Sequence, residues 1–142
     1  MSYEEKIKEL KINLPEAKAP VGNYVATKVS GKMLFVSGQI SIDETGQLIK
    51  GKVGKDLDTE AGYNAAKRCA LSIIAQVKKA CNNDLSKVKS CVKLTGFVNS
   101  TDEFIDLKSF HSVCRLTRSE FWTASLIDVL LVTFFSFENS FL

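Results

Sequence analysis

Few residues in this 142-residue chain can do chemistry. His111 is the only histidine, which excludes HExxH hydrolysis and any multi-histidine metal centre. A Ser-His or Cys-His nucleophile would have to use it, and it lies in a segment with no nucleophile motif. Cys69, Cys81, Cys91 and Cys114 lack CxxC spacing, so no zinc site is expected and the thiols are read as reduced. Gly46, Gly51 and Lys52 fit GxxxxGK, but Val53 stands where a P-loop needs Ser or Thr. Several loop residues also separate the lysine from the next helix start, so this reads as a glycine-rich loop. Glu4, Glu5, Asp56, Asp58 and Glu60 form no catalytic pair and read as caps and solvated faces. Chemistry must therefore run on Arg, Tyr, Ser, Thr, Glu and backbone groups. Arg118, in TRSEFWTASL, carries a planar fork of donors suited to grip a carboxylate through two parallel hydrogen bonds. On spacing alone it is a charge flanking an apolar tail. Tyr24 follows Gly22 and Asn23 at an expected strand start, where a phenol can face a cleft.

The elements that must position these residues follow from local patterns. The length suggests one domain, 1–142, with a substantial core. Net charge is +3 and the lysines are spread, so no nucleic-acid partner is expected. The charged, amphipathic MSYEEKIKEL lacks the apolar core of a signal peptide. A cytoplasmic location is expected, with the mitochondrion as the alternative. Glu4–Leu10 predicts a short helix, and LPEAKAP, holding both prolines, an extended stretch. YVATKVS, the SGK turn and KMLFVSG predict a β-hairpin, and SIDETGQLIKGKVG a polar loop. Asp58 is an N-cap for a helix whose stripe is Ala61, Ala65, Cys69, Ile73 and Val77, widened by Ala66, Ala70 and Ile74. It ends near Cys81 at Asn82-Asn83-Asp84. Cys91–Val98 predicts another strand, and Asn99–Phe104 a turn opening a second helix. After that the character changes: five of the nine phenylalanines fall between Phe121 and Phe141. FWTASLIDVLLVTFFSF is short for a membrane span and carries Asp128, so a buried strand or helix is expected instead.

These segments together resemble one family. APVGNYV, LFVSGQI, GKVGKD, EAGYNAAKRCALSIIAQVK and VKLTGFVNSTDEF are similar to the RidA family, also called YjgF or L-PSP, in its GKVG-loop subgroup. The resemblance covers residues 14–104. It implies a chorismate-mutase-like α+β fold, a mixed sheet backed by two helices, and a homotrimer with sites in intersubunit clefts. It also implies hydrolysis of enamines and imines such as 2-aminoacrylate to a 2-oxo acid and ammonia, with no cofactor and no metal. Non-catalytic binding of small 2-oxo acids, a chaperone-like role and the endoribonuclease or translation-inhibitor descriptions of some members are the alternatives. Carried over by position, Tyr24 and Gly38 match the motif residues at the ligand, Phe97 a pocket aromatic, and Arg118 the carboxylate-binding arginine. Residues 107–142 depart from the pattern. The family's final-strand acid falls at Thr133, and 104–118 is too short for the usual second helix. A rival register makes SLIDVLLVTFF that helix. Splicing, a frameshift or a mispredicted exon after Asp106 would give this pattern.

Overall fold

The first helix forms where opposite charges flank a short turn of chain. The structure, a computed structural model, describes residues 3–105, 115–116 and 129–137. Helix α1, Tyr3–Glu9, has Glu4 and Glu5 in its first turn and Lys6 and Lys8 in its last, both favourable to the helix dipole. A helix this short is marginal alone. It is tied down by two long-range bonds: the Tyr3 hydroxyl donates to the Lys89 carbonyl, and the Leu85 N–H donates to the Glu4 carboxylate. The proline segment that follows has no regular element.

Strands β1, Thr27–Ser30, and β2, Met33–Ile40, pair antiparallel from Thr27↔Val36 to Ser30↔Met33, closed by Gly31-Lys32. The expected hairpin is present, but β1 begins three residues after Tyr24. Residues 41–49 are more ordered than a polar loop. Asp43 Oδ1 accepts the Thr45 N–H, the Thr45 hydroxyl and the Gln47 N–H at 2.7–2.9 Å. Ile42 and Leu48 form an antiparallel bridge beyond that turn.

Helix α2 runs Thr59–Ala80. The Ala61 N–H donates to Asp58 Oδ1 at 2.7 Å, the capping bond its sequence position demands. Ala65, Ala66, Cys69, Ile73 and Val77 are buried, as their period requires. Gln76 is buried too, at 4% exposure, which the stripe does not include. The reason is tertiary: its side-chain amide donates to the Lys18 carbonyl at 2.8 Å, beneath the proline segment. Asn82 and Asn83 adopt positive φ and end the helix. A 3₁₀ turn, Leu85–Lys87, capped by Asp84, leads into β3, Val88–Val98.

Two further strands complete the sheet. Strand β4, Arg115–Leu116, pairs parallel with Thr95–Gly96, and β5 is Val129–Phe137. The sheet order is β1-β2-β5-β3-β4, with antiparallel and parallel pairs. This is the expected mixed α+β architecture, in the expected β-β-α-β order. The register that made SLIDVLLVTFF a helix is corrected: VLLVTFFSF is extended and hydrogen-bonded between β2 and β3. Its β-branched and aromatic residues favour extended backbone, and a central strand supplies partners on both edges. The second long helix expected after Phe104 lies outside the described residues.

The chain divides into two compact units. Met1–Ser37, Leu71–Lys93 and Thr133–Leu142 form one, with a core that includes Leu34, Val36, Ile73, Val77, Cys81 and Leu85. Gly38–Ala70 and Leu94–Val132 form the other, with Val53, Ala65, Ala66 and Cys69 buried.

Candidate functional site

Tyr24 stands not in β1 but in the bend before it, which corrects the expected strand start. The chain turns tightly there, with the Tyr24 N–H donating to the Gly22 carbonyl at 2.9 Å. The ring lies over Gly22: a Cβ at Gly22 would sit 3.5 Å from ring carbons Cδ1 and Cε1. About half of the residue is exposed, 51%. Ser37, which the sequence did not single out, closes this bend. Its N–H donates to the Ala26 carbonyl at 2.9 Å and its hydroxyl to the Val25 carbonyl. Its place in SGQ, next to Gly38, is the signal that could have found it.

Gly38 and Phe97 belong to the other unit. Gly38 lies on β2 and is half-buried. Phe97 lies near the end of β3, next to the buried Gly96, with 37% of its surface exposed. Strand β4 pairs with β3 at Thr95 and Gly96, and it ends two residues before Arg118. Arg118 and His111 themselves lie outside the described residues. Thr133, where the resemblance is expected to put the family's acid, falls within β5.

The GKVG loop is docked onto the chain that leaves β3. The Val53 N–H donates to the Asn99 carbonyl at 3.0 Å, and the Thr101 N–H to the Val53 carbonyl at 2.9 Å. Val53 is wholly buried. The Lys52 N–H is taken by Asp56 Oδ2 at 2.8 Å, and the helix starts only at Thr59, so this loop is not built to cradle phosphate. Gly51 and Gly54 have φ of 140° and 90°, where an L side chain is strained. A Cβ at Gly54 would come within 2.6 Å of Thr101 Oγ1.

Among the described residues, the resolved pKa shifts have local structural causes. The Thr45 hydroxyl, then the Gln47 N–H, holds the Asp43 carboxyl below its usual range. The Ser86 hydroxyl and N–H do the same for Asp84. Burial pushes the Cys81 thiol up, opposed by Lys87, so Cys81 is a packing residue rather than a nucleophile. Among the described residues no three His, Cys, Asp or Glu side chains converge to hold a metal. No helix of the described residues is long and apolar enough to cross a membrane. An open depression of about 360 Å³ between Leu14–Ala17 and Ala75, Lys78 and Lys79 contains none of the expected site residues.

Comparison with known proteins places these features. A family model described as "YjgF/chorismate mutase-like, putative endoribonuclease" matches residues 4–124, beyond the stretch 14–104 that carries the resemblance and through Arg118. Protein TCP17 of Trypanosoma cruzi is 41% identical over 100 residues, which is 70% of this chain and 62% of that protein. This chain therefore spans less than two thirds of that relative's length. Among solved structures, Atu1372 of Agrobacterium tumefaciens, of unknown function, is 32% identical with a TM-score of 0.72, over 95% of this chain and 92% of that one. A "putative endoribonuclease" of Shewanella oneidensis is 27% identical with a TM-score of 0.77, over 96% and 99%. The mixed sheet, the capped α2 and a family match over most of the chain agree: the protein belongs to the YjgF/chorismate-mutase-like family, the RidA family.

Proposed function

We propose that this protein takes small carboxylate-bearing imines and enamines and hydrolyses them slowly. Arg118 holds the substrate carboxylate bidentately, a charge-assisted pairing that contributes about 1.5–3 kcal/mol. Tyr24 walls the pocket and donates to substrate or water, Phe97 supplies an apolar side, and backbone near Gly38 orients the imine. The enamine carbon of 2-aminoacrylate takes a proton and its nitrogen becomes an iminium, the protonated form of 2-iminopropanoate. Water adds to the imine carbon, the C–N bond breaks, and ammonia leaves behind the 2-oxo acid. Positioning and one proton relay suffice for this reaction. The observation that carries the reading is the family match running through Arg118. In the same proposal Thr133, on β5, stands where the family has its acid. Losing that carboxylate removes one way to hold the attacking water, which is why turnover is expected to be low.

A homotrimer with sites in its clefts belongs to the same proposal. Apolar residues left exposed on the strands, Phe35, Val92 and Phe97, support it. The test is ammonia release from freshly generated 2-aminoacrylate, with light scattering to give the oligomeric state. Weak turnover abolished in Arg118→Ala is the expected result. Calorimetric binding of 2-oxobutyrate that Arg118→Ala weakens, with no product formed, would leave a binding protein. Cleavage of RNA without ammonia release would favour the ribonuclease description that the family and the Shewanella protein carry.

A further inference from the structure

We propose that Ser37 is a positioning residue that sets where the Tyr24 phenol stands. The segment before β1 is poorly held by packing. Val21 is 95% exposed, Val25 60% and Tyr24 51%, so little apolar area anchors it. Polar bonds must do that instead. On one side, the Tyr24 N–H closes the tight turn onto Gly22. On the other, Ser37 grips two successive peptide planes: its N–H takes the Ala26 carbonyl and its hydroxyl the Val25 carbonyl.

The first of these bonds extends the β1–β2 ladder by one step, and any residue could make it. The second needs a hydroxyl. It fixes the peptide that joins Val25 to Ala26, one residue from Tyr24. Ser37 is itself rooted in β2, a strand with Leu34 and Val36 buried, so a rigid element sets the pose of an exposed one. The effect of Ser37 on turnover rests on the imine-hydrolysis reading above; its effect on Tyr24 does not.

The experiment separates the two. The protein holds three tyrosines, Tyr3, Tyr24 and Tyr63, so 3-fluorotyrosine labelling gives three ¹⁹F signals, and Tyr24→Phe assigns one of them. Ser37→Val and Ser37→Thr are isosteric and differ in the hydroxyl. Ser37→Val is expected to shift and broaden the Tyr24 signal and leave those of Tyr3 and Tyr63 in place, with Ser37→Thr keeping the parent spectrum. With 2-aminoacrylate, Ser37→Val is expected to raise KM about tenfold, the scale of one lost hydrogen bond. Ser37→Thr should restore it. An unmoved Tyr24 signal in Ser37→Val overturns the proposal, as does an equal change in all three signals. A moved Tyr24 signal in Ser37→Val, with a parent protein that neither turns over 2-aminoacrylate nor responds to 2-oxobutyrate, supports the positioning role and removes the imine-hydrolysis reading.

Discussion

Replacing Gly54 by alanine tests how the GKVG loop is held. Gly54 sits at φ 90°, and its position faces Thr101 Oγ1 at 2.6 Å from where a Cβ would stand. Two costs are expected. A Cβ on left-handed backbone costs about 1–2 kcal/mol. Pushing Thr101 aside drives its side chain off its rotamer, at about 0.5–1.5 kcal/mol more. The backbone cannot simply yield, because the Thr101 N–H is bonded to the Val53 carbonyl and the Val53 N–H to Asn99. The total, about 2–3 kcal/mol, lowers a urea midpoint by about 1 M for a denaturant slope near 2 kcal/mol/M. Equilibrium urea denaturation of Gly54→Ala, Thr101→Ala and the double variant measures both parts. Thr101→Ala deletes the oxygen, so Gly54→Ala in that background should cost about 1 kcal/mol less than in the parent. An equal cost in both backgrounds would refute the steric argument. A Gly54→Ala protein as stable as the parent would refute the conformational one as well.

Other outcomes follow from single features. Asp58→Ala removes the acceptor for the Ala61 N–H and should cost about 1 kcal/mol, read as a lower urea midpoint. The Thr45 hydroxyl and the Gln47 N–H hold the Asp43 carboxyl below the usual aspartate value of about 4, so its contribution to stability is present above that pH. That contribution is lost as pH falls through the lower folded value. Acid titration of Asp43→Ala should therefore show a shallower loss of stability below about pH 4 than the parent. In a Cys114→Ser background, a thiol reagent should label Cys91, which is exposed, well before Cys69 and Cys81, which are buried. Equal rates in mass spectrometry would show that Cys91 is covered in solution. Thr133→Glu should raise ammonia release from 2-aminoacrylate if Thr133 occupies the place of the family acid, and leave it unchanged if the register is wrong.

The sequence by itself determined the local elements and the family. Asp58 before an apolar period, Gly31-Lys32 between alternating runs and Asn82-Asn83 after the last helical turn are contiguous signals. They act over a few residues, so the chain need not be folded for them to be read. Motifs such as APVGNYV and SGQ also carried the family resemblance that singles out Tyr24 and Gly38. Tertiary structure alone decided what depends on distant partners. Gln76 is buried because the proline segment lies over it. The Leu85 N–H donates to Glu4, 81 residues away in sequence. Gly54 is required because the loop docks onto 99–101, and Gly51 because Asp56 and Leu57 stand against it. VLLVTFFSF is apolar in every direction, so its period could not separate strand from helix. It is a strand because β2 and β3 offer it hydrogen bonds on both sides, and no local pattern encodes that vacancy. Ser37 belongs to the same class: a serine in a strand is unremarkable until the fold brings the Val25 carbonyl to its hydroxyl.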